Sequence, residues 1–118
     1  MLGPVVSAKV MSNVFEVVAY DGTRIRLTEA QWLHMVFFHP EMEGEQEKMK
    51  EVLRSPEVVV QGATVDTRVC YKFYPSTPVA SKYLAVVIKV LNGEGFIITG
   101  YFTERVRRGK ALWRKARS

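Results

Sequence analysis

The chain has 118 residues and a formal net charge of +5, with 47% hydrophobic and 25% charged residues. That length gives one domain with one core, and that composition is the globular average, which excludes disordered and fibrous classes. The longest uncharged apolar stretch, residues 83–88, falls far short of the ~20 residues a membrane-spanning helix needs, and Lys9 interrupts the N-terminus. A non-secreted, cytoplasmic protein without a membrane partner is therefore expected. The single Cys70 can form neither an internal disulfide nor a cysteine-rich zinc site, which suits a reducing compartment.

Residues 1–13 lack periodicity and read as an arm or ragged edge. Residues 14–20 are β-branched and aromatic, and Asp21-Gly22 turns the chain into Arg24-Ile25-Arg26-Leu27, a candidate hairpin. Thr28-Glu29-Ala30-Gln31 fits a capping box, in which the threonine oxygen takes an orphan amide and Gln31 reaches back, so a helix opens there and stops at Pro40. At helical spacing Ala30, Trp32, Leu33, Val36 and Phe37 gather on one side. Gln31, His34 and Phe38 lie toward the other.

A second helix, about residues 43–54, carries an apolar stripe of Met49, Val52 and Leu53 and ends at Ser55-Pro56. Strands follow at residues 58–61 and 67–74; in the latter Val69, Tyr71 and Phe73 alternate with Arg68, Cys70 and Lys72, predicting one core face and one cationic face. Residues 83–91 are almost continuously apolar, as in a central strand, and Asn92-Gly93-Glu94-Gly95 turns them into a partner strand over 96–102. Helices early and strands late give an α+β domain: N-terminal strands and two helices packed on a small antiparallel sheet.

The charge is localised. From Thr103 onward seven basic residues, Arg105, Arg107, Arg108, Lys110, Arg114, Lys115 and Arg117, stand against Glu104; that segment carries +6 and the remainder −1. A polyanion partner at that end is one reading, and a solvated tail over residues 110–118 is the other.

Motif elimination narrows the chemistry. There is no Gly-rich phosphate loop, no dinucleotide fingerprint, no His-Glu-x-x-His and no nucleophile elbow. With two histidines and one cysteine, His39 and Glu41 could supply two metal ligands but nothing fixes a third, so no metal site and no cofactor are expected. What remains is His34 and His39-Pro40-Glu41 at the end of the first helix, Lys72 and Lys89 on strands, and Thr99, Tyr101 and Thr103 sharing one strand face. Each has an ordinary structural use as well. His39 can terminate a helix, Tyr101 can be a core aromatic, and Lys89 can mark a strand end.

The segment Gln31-Trp32-Leu33-His34-Met35-Val36-Phe37-Phe38-His39-Pro40-Glu41-Met42 resembles the helix motif of small phage-associated bacterial proteins in the barnase, EndoU, colicin and RelE-like nuclease superfamily. Ser55-Pro56-Glu57, Tyr71-Lys72-Phe73-Tyr74, the strand over 82–90 and the segment containing Ile98-Thr99-Gly100-Tyr101 resemble the same family in the same order. The resemblance covers about residues 14–109, with Gly100 where alanine is commoner, and the basic extension lies outside it. It implies a RelE/barnase-like nuclease core. RNA is the implied partner, with the ribosome or an antitoxin protein as further partners to test.

Metal-free RNA cleavage needs a base for the 2′-hydroxyl, an acid for the leaving 5′-oxygen, and donors around the phosphate. His39 or His34 can be acid or base, and Glu41 can orient or replace one of them. Thr99 and Tyr101 can donate to phosphate oxygens; Arg68, Lys72 and Lys89 can hold its charge; Tyr71 and Tyr74 can stack on bases; and Arg105, Arg107 and Arg108 add backbone affinity. A catalytically silent nucleic-acid or protein-binding module of the same fold is the alternative. Whether Lys89 shares the face of Thr99 depends on hairpin register. With Leu91 opposite Phe96 it faces away, and with Asn92 opposite Phe96 it faces Thr99.

Overall fold

The structure is a computed structural model and describes residues 12–80 and 82–116. Residues 1–11 of the arm expected over residues 1–13, and Arg117 of the basic segment, lie outside them; Asn13, expected in the arm, opens a strand. In chain order the elements are β1 (Asn13–Val18), β2 (Arg24–Thr28), α1 (Glu29–Phe38), a 3₁₀ turn (Pro40–Met42), α2 (Gln46–Arg54), β3 (Val58–Gln61), β4 (Thr67–Tyr74), β5 (Lys82–Leu91), β6 (Glu94–Thr103) and β7 (Ala111–Arg114). The domain is α+β. Its strands form one seven-stranded sheet in the order β1-β2-β6-β5-β4-β3-β7.

The sheet is mixed, which corrects the antiparallel expectation. β2 runs parallel to β6, pairing Arg24 with Glu94, Ile25 with Gly95 and Arg26 with Phe96, while every other neighbouring pair is antiparallel. Strand periodicity reports which face is buried but not which strand lies alongside, so this pairing left no mark in the sequence. The segment read as a solvated tail contributes β7: Val58 pairs with Arg114 and Val59 with Trp113.

Local chemistry explains the turns that were legible. At Asp21-Gly22 the Thr23 N–H donates to Asp21 Oδ1 (3.0 Å) and Gly22 takes φ +89°, a conformation that favours glycine. Asn92 (φ +53°) and Gly93 (φ +79°) form a two-residue hairpin turn closed by the Leu91–Glu94 pair. Thr28 Oγ1 accepts the Gln31 N–H (3.1 Å), as the capping box requires, but the Gln31 side chain does not reach back. It donates instead to the carbonyl of Ile98 on β6.

Two layers of side chains flank the sheet. Under the helices lies the larger cluster, which includes Ile25, Leu27, Met35, Met42, Met49, Val52, Leu53, Cys70, Leu84, Val86, Ile88 and Ile97. The stripe of α2, Met49, Val52 and Leu53, is buried there as its spacing required. Gly100 lies beneath two methionines: a Cβ on it would sit 3.3 Å from Met49 Cε and 3.4 Å from Met42 Cε. Their methyls thus occupy the space an alanine would fill.

Among the described residues no helix covers the opposite face. Val58, Val60, Val69, Tyr71 and Ala85 are buried there, flanked by Tyr83, Val87, Tyr101 and Val106. β4 therefore buries residues on both faces rather than presenting one cationic face, since Cys70 packs under the helices and Tyr71 on the other side.

Candidate functional site

The orientation of α1 builds the site. Its apolar residues run nearly all the way round, so spacing alone cannot say which side is buried. The expected core side is in fact open, with Leu33 68% and Phe37 78% exposed. The helix is anchored by buried Met35, by Trp32 against the larger cluster, and by the Gln31 bond to Ile98. Gln31, His34, Met35 and Phe38 fall at i, i+3, i+4 and i+7, one stripe, and that stripe turns toward β6.

β6 presents an edge because β2 pairs only with Glu94, Gly95 and Phe96, leaving the rest of β6 without a strand on that side. At the same place the β5–β6 ladder carries a bulge: Ile88 pairs with Ile97 and Val87 with Thr99, so Ile98 has no opposite number. The amide of Gln31 satisfies the Ile98 carbonyl and ties the helix to the bulge. Between them lies an open cleft of about 430 Å³ lined by Gln31, His34, Met35, Phe38, His39, Ile98 and Thr99.

His39 follows the helix because Pro40 disfavours a helical residue before it; its φ/ψ is −133°/73° and its N–H still donates to Met35 O (2.7 Å). The imidazole lies against the Tyr101 ring, with centroids 5.8 Å apart and planes inclined by 30°. Its Nδ1 is 3.6 Å from Glu41 Oε2, beyond hydrogen-bond range. The His34 ring meets Phe38 at 4.8 Å. Of the residues singled out from the sequence, His34, His39 and Thr99 line this cleft, with Tyr101 against His39 and Glu41 beside it; they come from the α1–3₁₀ segment and from β6, more than fifty residues apart. Among the described residues, no group of three or more His, Cys, Asp or Glu is placed to hold a metal ion.

The other candidates are placed elsewhere. Arg68 faces the helix side, where Nη1 donates to Asp21 Oδ2 (3.0 Å) and Tyr20 Oη (3.4 Å). Burial alone would raise the Asp21 carboxyl; hydrogen bonds from Thr23 and Arg68, with the guanidinium charge, outweigh it and hold the group below its ordinary range. Lys72 Nζ donates to Ser55 O (3.1 Å), and Tyr74 hydrogen-bonds Glu51 beneath Lys48, so both fasten α2 rather than face the cleft. Burial, then the Glu51 carboxylate, pushes the Tyr74 phenol far up.

Tyr71 is 1% exposed and offers no stacking surface; its Oη accepts the Arg107 N–H (3.0 Å). Burial pushes the Cys70 thiol up to about 12, an inert core group. Lys89 follows neither register considered. It pairs with Phe96, and the bulge then places Thr99 on its face two pairs further along, opposite Val87, while its Nζ lies 3.9 Å from Asp66.

Arg107 and Arg108 line a second groove, of about 770 Å³, with Tyr83, Glu57, Arg114 and Lys115. Arg105 is exposed just before that groove. Arg114 and Lys115 were named only within the basic segment, not as site residues, because β7 was read as tail, and Tyr83 on β5 was not singled out. Gln31 and Ile98 were missed too, although a glutamine inside a capping box was the available signal.

No family model matches the chain, and neither the curated proteins nor the solved structures yield a match. Among the described residues no helix is long and apolar enough to cross a membrane.

Proposed function

We propose that this domain is a metal-independent endoribonuclease whose reaction centre is the cleft between α1 and β6. The observation that carries the reading is the meeting of His34, His39 and Thr99 in one cleft, with Tyr101 against His39. One imidazole takes the 2′-hydroxyl proton; the oxygen attacks phosphorus; the bond to the 5′-oxygen breaks; and the other imidazole returns a proton to that oxygen, leaving a 2′,3′-cyclic phosphate. Glu41 stands 3.6 Å from His39 Nδ1, and the Tyr101 ring holds the imidazole plane. The Thr99 hydroxyl donates to a non-bridging phosphate oxygen.

The test is cleavage of naked and ribosome-bound RNA in excess chelator across pH 5 to 9, with the parent, His39→Ala and Tyr101→Phe at matched folding. Chelator-resistant cleavage that falls by about 10²-fold or more in His39→Ala and follows a bell-shaped pH profile is expected.

One observation favours a second reading. Among the described residues no Lys or Arg lines the cleft, so the phosphate would rely there on imidazole and hydroxyl donors. A catalytically silent module that binds RNA or a protein partner, including a ribosomal or antitoxin surface, would show intact binding, no cleavage by the parent and no response to either substitution.

A further inference from the structure

Most cations in the body of the domain already have carboxylate partners: Arg24 with Glu16, Arg26 with Glu94, Lys48 with Glu45, Lys50 with Glu47, Arg68 with Asp21 and Lys82 with Glu104. The C-terminal groove differs. Arg107, Arg108, Arg114 and Lys115 line it, and none makes an ion pair among the described residues. Among the described residues the one carboxylate in its wall, Glu57, accepts the Phe73 N–H (3.1 Å).

These cations are held on structure at both sides of the groove. Residues 104–110 cross the open face as a strap: Val106 packs into the apolar cluster there, and the Arg107 N–H is fixed on Tyr71 Oη. Gly109 lets the strap come close to the sheet, since a Cβ on it would sit 3.1 Å from Val60 Cγ1, and its φ of +154° disfavours other residues. Gln61 N–H then donates to Lys110 O (2.9 Å), β7 pairs with β3, and Lys115 N–H donates to Glu57 O (2.9 Å). The 4.7–5 Å spacing of paired strands thus sets Arg114 opposite Val58 on the strap's side of the sheet.

We propose that this groove binds the phosphate backbone of single-stranded RNA. Unpaired cations on a fixed frame supply the sequence-independent attraction. Tyr83 lines the groove and meets the exposed Phe73 edge-on at 5.3 Å, giving unstacked bases an aromatic surface that a duplex or an acidic peptide could not use. The choice of RNA over DNA rests on the cleavage reading above; the groove itself does not. Tyr101 and Tyr83 border the same apolar cluster, so a strand held in the groove lies on the face that leads to the cleft.

The test reads anisotropy of a labelled single-stranded RNA oligonucleotide, using protein carrying His39→Ala so that the RNA stays intact and binding is judged apart from cleavage. On that background, Arg108→Gln with Arg114→Gln is compared with Arg24→Gln and Arg54→Gln, an equal charge loss at the β1 edge, the far end of the sheet from β7. All four side chains are exposed, so thermal unfolding should match the parent's within each pair. The groove pair should weaken binding about tenfold or more and flatten the log–log salt slope by ~1.4, while the distant pair changes affinity by about twofold at most. Equal losses in the two pairs, duplex RNA bound as tightly as single strands, displacement by polyglutamate at matched charge, or no RNA binding by the parent would each overturn the proposal.

Discussion

The two faces of the sheet are built on opposite principles. Beneath the helices, Met42, Met49, Leu53, Leu84 and Ile88 are fully or almost fully buried, and the polar groups at the rim, Arg68, Lys72 and Tyr74, are fastened to neighbours. Across the sheet a smaller apolar cluster is covered by one strap, and the cations at its margins, Arg107, Arg108 and Arg114, have no carboxylate partners among the described residues. Stability is concentrated on the first face and unsatisfied chemistry on the second. A functional surface needs that separation, because a group committed to a partner in the fold has little left for a ligand.

The comparison breaks most sharply in the core. Leu84→Ala on the helix side should lower stability by about 3 kcal/mol and Val87→Ala on the open side by about 1, measured by denaturant unfolding. Equal losses would mean that the two faces are not energetically distinct. Tyr71→Phe removes the acceptor for the Arg107 N–H and should cost about 1 kcal/mol, with faster amide exchange at Arg107 as the signature of a loosened strap.

The rim of the helix side should respond to acid. Asp21 is held below its ordinary range, so its contribution is present above the unfolded aspartate value of ~4 and is lost as pH falls through the lower folded value. Asp21→Asn should therefore cost up to about 1 kcal/mol at pH 7, since the pair is partly exposed, and progressively less below pH 4 in pH-resolved melts. Smallest of all, Phe37→Ser on the outer side of α1 should change stability by no more than about 0.5 kcal/mol.

What the sequence disclosed follows the range of the forces involved. The Asp21-Gly22 turn, the Thr28 cap, the α2 stripe and the Asn92-Gly93 hairpin are specified by residues within a few positions of each other, and all were legible. The β2–β6 pairing and the rotation of α1 depend on groups some 70 residues apart, such as Gln31 and Ile98. No local pattern encodes them. The candidate site was half legible for the same reason. His34, His39 and Glu41 advertise themselves on one short segment, and Thr99 and Tyr101 on one strand face, whereas Arg68, Lys72, Tyr71 and Tyr74 look equally suitable until their partners are seen. The basic segment gave its charge but not its form, because β7 has only four residues and draws its order from β3.

The parallel seam between β2 and β6 has a consequence for synthesis. A ribosome delivers β1, β2 and α1 first, yet the strand that β2 pairs with and α1 packs on is finished only at Thr103. The N-terminal portion must wait with its apolar surface uncovered while three further strands emerge, an interval in which misassembly competes with completion. His34 and His39 arrive early, Thr99 and Tyr101 late. No nascent chain ending before β6 can contain the cleft, which delays its chemistry until the domain is nearly whole.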